Sequence, residues 1–250
     1  MSVETGFVPA SISRTALLAA LATLTSVAGQ TFSQSSPPQP DLVEASSRIA
    51  AATNAFRGEQ KLGPLQQNAD LAEAAGSFAS FMARTNQYGH AADGSTPAAR
   101  ADHFGYAHCI VAENIAYQFS SGGLSTEALS KQFFEGWQRS AGHRTNILDA
   151  DVTQTAVAIA RSADTGYFYA VQMFGRPKWA SIAFNLENRT AGVVEYALDE
   201  QTFSLRAGVT RTHERCRPST LRVLGTTVEP RNGQRFVIQA QDGALRLIPQ

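Results

Sequence analysis

Two histidines and a glutamate, His90, Glu113 and His143, are the side chains of this 250-residue sequence that suit acid–base chemistry or metal ligation. They lie 23 and 30 residues apart, so no local motif such as His-Glu-x-x-His gathers them, and only a fold can. Brought together, two imidazoles and one carboxylate suit zinc with an open position, or an acid/base pair acting on a bound water. Against both stands the commoner role of a histidine, a hydrogen-bonded structural residue. Glu113 and Asn114 interrupt the apolar run 109–117, and two polar residues inside a buried strand require partners. The three residues are therefore expected to share one solvent-accessible cleft, with Asn114 orienting Glu113 or satisfying strand backbone.

Periodicity predicts the elements that must position them. Asp41 caps a helix with apolar positions at Leu42, Ala45, Ile49, Ala52 and Phe56, stopped by Gly58 and then Gly63-Pro64. A second helix, about 68–87, carries Leu71, Ala75, Phe78 and Met82 on one stripe and delivers His90 just past its end. Thr96-Pro97 starts a short helix that Gly105 ends. Ser125 caps another, in which Leu129, Phe133 and Trp137 lie four apart, with Trp137 read as core packing. Segments 153–161 and 166–175 form a hairpin about Asp164-Thr165-Gly166. Helices interleaved with antiparallel strands give an α+β class.

Five pieces together carry a family resemblance: Asn54-x-x-Arg57, Leu62-Gly63-Pro64-Leu65, Tyr88-Gly89-His90, Glu113-Asn114-Ile115-Ala116, and Trp137-Gln138-Arg139-Ser140-Ala141-Gly142-His143. They resemble the CAP superfamily of cysteine-rich secretory proteins, antigen 5 and pathogenesis-related proteins, especially its bacterial SCP-like branch. The resemblance implies a three-layer α-β-α sandwich over residues 41–176. It makes His90, Glu113 and His143 cavity residues and metal ligands, and puts Asn114, Ser140 and the Gln172 of Gln-x-Phe-Gly at ligand-binding positions. Ser140 stands where the family's eukaryotic members have the second acid of a His-Glu-Glu-His tetrad, as is common among bacterial members. A hydroxyl there removes a negative charge and a good ligand, so a divalent ion such as zinc is expected to bind weakly. Ser140 three residues before His143 also invites a nucleophile–base pair, but there is no Gly-x-Ser-x-Gly elbow and a helix-terminal serine more often caps. Arg100 and Arg144 are read as loop ties, His103 and His108 as lying off the pattern, and Asp93 and Asp102 as solvated loop charges.

Residues 1–28 read as a signal peptide and 29–40 as a flexible linker rich in Gln, Ser and Pro; a retained anchor or tail is the alternative. Residues 177–250 alternate apolar and polar, as in Ile182/Phe184/Leu186 and Phe236/Ile238, and predict a small all-β, sandwich-like C-terminal module of five to seven strands without a catalytic motif. Residues 41–175 hold nine Lys and Arg against thirteen Asp and Glu, and residues 176–250 hold eleven against seven. Opposite charge either helps the two parts dock or makes the second a basic patch for anionic envelope polymers. Scattered arginines without interleaved aromatics argue against nucleic acid. Cys109 and Cys216 either form one disulfide in an oxidising compartment, or Cys109 is a small buried apolar residue. The expected protein is secreted or periplasmic, with no transmembrane segment in its mature form. It is expected to bind a small apolar or polymeric ligand of the cell envelope beside a weak divalent-metal cavity. The alternatives are a metal-assisted, peptidase-like hydrolase using His90, Glu113 and His143, and a purely structural adhesion domain.

Overall fold

Capping and burial select the helices. In the structure, a computed structural model describing residues 39–250, helix α1 (Leu42–Glu59) starts where the Asp41 carboxylate accepts the Glu44 amide. The expected signal segment and nearly all of the linker lie outside the described residues. Asn68, Thr96 and Ser125 cap α2 (Ala69–Thr85), α3 (Pro97–His103) and α4 (Thr126–Arg139) in the same way. Helix α2 ends at Asn86, whose φ of 54° is a left-handed stop that asparagine tolerates, and the chain then turns toward His90. A further helix, α5 (Ala141–Ile147), follows α4 directly, with Ser140 as the hinge between them. This break is absent from the apolar periodicity, because Ile147 is the sole buried residue of α5.

Strands β1 (Gln66–Gln67), β2 (His108–Gln118), β3 (Gln154–Arg161) and β4 (Phe168–Pro177) form a sheet of order β1-β3-β4-β2, with β2 at an edge. Central β4 is buried on both faces. Its Phe168, Ala170 and Phe174 pack with α1, α4 and α5, and its Tyr169, Val171 and Met173 pack with α2 and α3. The result is the expected three-layer α-β-α sandwich. Two-residue β1 was not anticipated, since Gln66-Gln67 carries no apolar signal.

Eight strands follow: β5 (Ile182–Asn188), β6 (Val194–Leu198), β7 (Gln201–Leu205), β8 (Thr210–Arg215), β9 (Leu221–Val223), β10 (Thr226–Val228), β11 (Arg235–Gln241) and β12 (Ala244–Pro249). They make two four-stranded sheets, β10-β9-β6-β7 and β12-β11-β5-β8, around a core that includes Phe184, Leu186, Tyr196, Leu198, Leu221, Phe236 and Ile238. The count exceeds the predicted five to seven because β8, β10 and β12 bury too little to alternate visibly; in β8 only His213 is buried.

The β module is fastened to the first part of the chain at one corner. Cys109 and Cys216 form a disulfide with Cα atoms 5.2 Å apart. Next to it, Arg217 donates to Asp149 at 2.9 and 2.6 Å and to Asp151 at 2.8 Å. Of the open readings for Cys109 the disulfide is the one realised, and opposite charges meet at this contact. Among the described residues no helix is long and apolar enough to cross a membrane.

Candidate functional site

Strand β2 alternates its side chains, so Glu113 points toward the α2/α3 layer and Asn114 toward the α4/α5 layer. The Glu113 side chain is only 1% exposed, and both its oxygens are engaged. One accepts from Nδ1 of His90 at 2.8 Å and the other from Arg100 at 2.7 Å. The 5%-exposed Arg100 side chain lies over the Phe78 ring at 3.6 Å and also donates to Asp93 at 2.9 Å, to the Ser95 hydroxyl at 3.0 Å and to the His90 carbonyl at 2.9 Å. A buried cation thus lies between two carboxylates and clamps the loop that carries His90. Burial alone would raise the Asp93 pKa, but the amide and hydroxyl of Ser95 and the Arg100 charge outweigh it and lower the value.

The outward carbonyls of β2 explain how both histidine-bearing segments are held. Ile115 O accepts from the Tyr88 hydroxyl at 3.1 Å and from the Trp137 indole at 3.2 Å, and Glu113 O accepts from the Asn146 amide at 3.2 Å. Tyr88 lies two residues before His90, and Asn146 three after His143. The polar groups that satisfy an otherwise open sheet edge therefore also set where the two histidines stand. Asn114 completes the link on the second side: its amide donates to the His143 carbonyl at 3.2 Å, and its oxygen accepts from Asn146 at 2.9 Å. The His143 pKa is lowered, first by burial and then by the charge of nearby His90.

Residues 50–174 match the sequence profile of CAP, the cysteine-rich secretory protein family. The chain belongs to the CAP family. Among solved structures, an outer surface protein of Borrelia burgdorferi is 17% identical, with TM-score 0.49 over 57% of this chain and 100% of that one. An extracellular SCP-domain protein of Bacillus anthracis is 26% identical, with TM-score 0.46 over 57% of this chain and 45% of that one. A cysteine-rich secretory protein of Staphylococcus aureus is 20% identical, with TM-score 0.41 over 54% of this chain and 39% of that one. This chain thus spans less than half the length of the latter two. No curated protein matches the sequence.

Within this CAP domain the three principal residues are differently presented. Glu113 meets His90 directly, whereas the His143 side chain has no hydrogen bond to either among the described residues, and its segment is tied to β2 through its backbone bond to Asn114. The His90 side chain is half exposed, and its Nε2 is left free of Glu113. Ser140 is half-buried at the α4–α5 junction and makes no side-chain capping bond, contrary to the capping expectation. Asn114 is fully buried, and its amide is committed on both ends, to the His143 carbonyl and to Asn146.

The expectation that Gln172 faces the cavity is corrected. Paired with Asn114 across the strands, Gln172 lies on the sheet face opposite to Glu113, fully buried, and donates to Thr53 of α1 at 3.0 Å. Asp93 is likewise no solvated loop charge, since it shares Arg100 with Glu113. Arg100 does serve as a loop tie, and the exposed Arg144 stacks on Phe56 at 4.9 Å. A groove of about 470 Å³ between α1 and β3, lined by Leu42, Ser46, Ala50, Asn54, Val157 and Ile159 among others, lies toward the other edge of the sheet and holds no titratable side chain.

For a metal ion the donor set fits only in part. Glu113 is buried, doubly hydrogen-bonded and in contact with a guanidinium, so it does not fit as a direct ligand. Among the described residues no three His, Cys, Asp or Glu side chains are arranged to hold a metal. What fits a ligand role is the half-exposed His90 imidazole, with Glu113 behind it as the carboxylate that fixes its tautomer and ring orientation.

Proposed function

We propose that this CAP-domain protein is exported and acts at the cell envelope as a binding module for a small apolar or polymeric ligand. In this reading His90, His143 and Ser140 are the residues that face the ligand. Export is supported by the Cys109–Cys216 disulfide, a bond of oxidising compartments. The observation that carries the binding reading is the double engagement of Glu113. A carboxylate held by both oxygens is a fixed orienter of His90, which leaves the imidazole Nε2 as a hydrogen-bonding group for a ligand. A divalent metal such as zinc belongs to this reading as a weak associate of the two imidazoles.

A second reading, a peptidase-like hydrolase, is favoured by one feature. With Nδ1 bound to Glu113, His90 presents Nε2 as an oriented acceptor, the arrangement of a general base. The test is zinc calorimetry combined with co-sedimentation on a purified cell-envelope fraction and turnover of a peptide library with and without zinc. Binding without turnover, lost in His90→Ala and His143→Ala, supports the module. Turnover that disappears in a folded His143→Ala variant moves the conclusion to the hydrolase.

A further inference from the structure

The alternation of β2 that points Glu113 toward α2 and α3 puts Ile115, Tyr117 and Phe119 on the same side. Beyond buried Ile115 this row comes to the surface: Tyr117 is 50% and Phe119 51% exposed, and Tyr88, from the loop before His90, is 47% exposed. The rings form an unbroken chain. Tyr88 meets Tyr117 edge-on at 5.0 Å, Tyr117 meets Tyr167 at 5.6 Å, and Tyr167 meets Phe119 at 5.1 Å. Tyr169 backs them from the core, 6.3 Å from Tyr117 and 6.4 Å from Tyr167. Scattered exposed aromatics need no explanation, but a contiguous group next to the loop that carries His90 does.

We propose that this row of rings is a docking platform for a glycan chain that runs along β2 toward His90. The inference rests on the polymeric branch of the function proposed above and names that polymer as a polysaccharide. Three features select the occupant. From Glu113 to Phe119 the strand advances about 20 Å, a length suited to several linked units and not to one small molecule. Tyr88 and Tyr169 commit their hydroxyls to Ile115 O and Asn86 Oδ1, while those of Tyr117 and Tyr167 have no partner among the described residues. A sugar ring offers a C–H face to an aromatic ring and hydroxyls to its phenol, so it satisfies both halves of such a surface. A fatty chain calls for enclosure and an anionic polymer for a run of cations, and this open chain of neutral rings supplies neither.

The experiment titrates the full chain with two neutral probes, a β1→4-linked N-acetylglucosamine hexamer and cellohexaose, by calorimetry and by NMR of the aromatic protons. At least one hexamer is expected to bind, with shifts concentrated on Tyr88, Tyr117 and Phe119 of the unmodified protein. Affinity should fall tenfold or more in Tyr117→Ala/Phe119→Ala and by less in Tyr117→Phe, which keeps the stacking ring and loses only the phenol. Because both truncated rings are half exposed, folding is checked by the melting temperature, and the NMR map of the parent decides the matter without any variant. If neither hexamer binds, or if the shifted resonances lie elsewhere, the platform is refuted. If binding survives the double substitution but is lost in His90→Ala, the cleft reading stands and the platform falls. The reverse pattern keeps the platform and removes the cleft.

Discussion

Replacing Glu113 by glutamine keeps the volume of a side chain that is 1% exposed, but removes the charge shared between His90 and Arg100. Glutamine offers one acceptor and one donor where glutamate offers two acceptors. Its oxygen is drawn to Arg100, which leaves its amide facing Nδ1 of His90. The imidazole must then accept at Nδ1 and carry its proton on Nε2, so the outward atom changes from acceptor to donor. The His90 bond, charge-assisted and worth about 1.5–3 kcal/mol, becomes an ordinary one worth about 0.5–1.5 kcal/mol, while the Arg100 bond keeps its charged donor but loses its anionic partner. Arg100 keeps Asp93 at 2.9 Å, so the loss stays below the roughly 3–5 kcal/mol of a fully orphaned buried charge. The expected cost of Glu113→Gln is about 2–3 kcal/mol, which lowers the melting temperature by about 4–12 °C for a chain of this size. Urea denaturation near neutral pH should show a lower midpoint at an unchanged slope, and nitrogen-15 spectra of the histidines should show the tautomer change at His90. A stability loss under about 0.5 kcal/mol, or an unaltered His90 tautomer, refutes the reasoning that Glu113 is clamped from both sides.

Removing the disulfide through Cys109→Ser with Cys216→Ser should cost about 4–5 kcal/mol in the chain-entropy model, since the loop it closes spans 107 residues. Denaturation of the double variant beside the oxidised parent measures it, and a difference under about 1 kcal/mol counts against the fastening role. Acidification should also destabilise the protein. The His143 and His213 pKa values are both lowered, first by burial and then by His90 for the former and by Arg215 and Arg211 for the latter. The unfolded chain therefore binds protons first as pH falls, so this stability is complete above about 6.5 and declines between there and the lower folded values. Melting temperatures between pH 8 and 5 test the sign, and the decline should be shallower in a folded His213→Gln variant. Zinc affinity should drop tenfold or more in Glu113→Gln, because a less firmly oriented His90 is a poorer ligand; equal affinities on calorimetry would remove Glu113 from the metal reading.

The layers of the CAP domain were legible because α1, α2 and α4 each carry a cap and a stripe, and because β4 is apolar on both faces. Glu113 was legible for the opposite reason: a charge inside an apolar strand has to be answered. What answers it was not legible. Arg100 comes from a helix whose first turn shows only Thr96-Pro97, and Asp93 sits in a turn whose Asp-Gly-Ser sequence suggests solvent. Their partnership with Glu113 is a contact between separate segments that no spacing encodes. Gln172 was misjudged because a motif match gives a position on a strand but not its face. The register with β4 supplies that face, since Asn114 pairs with Gln172 and Glu113 with Met173.

The same register bears on how the site is built. An edge strand needs its outward carbonyls covered, and here Tyr88, Trp137 and Asn146 cover those of Glu113 and Ile115 from both helical layers. Each of these side chains is a short step in sequence from His90, Ser140 or His143. Protecting the edge and placing the cleft residues are consequently one structural task, which is why a polar strand segment costly on its own is stable in this position. A ligand that lies along β2 meets the carbonyls of Glu113 and Ile115 already satisfied, so beside them recognition falls to side chains: His90 at one end and the aromatic rings at the other.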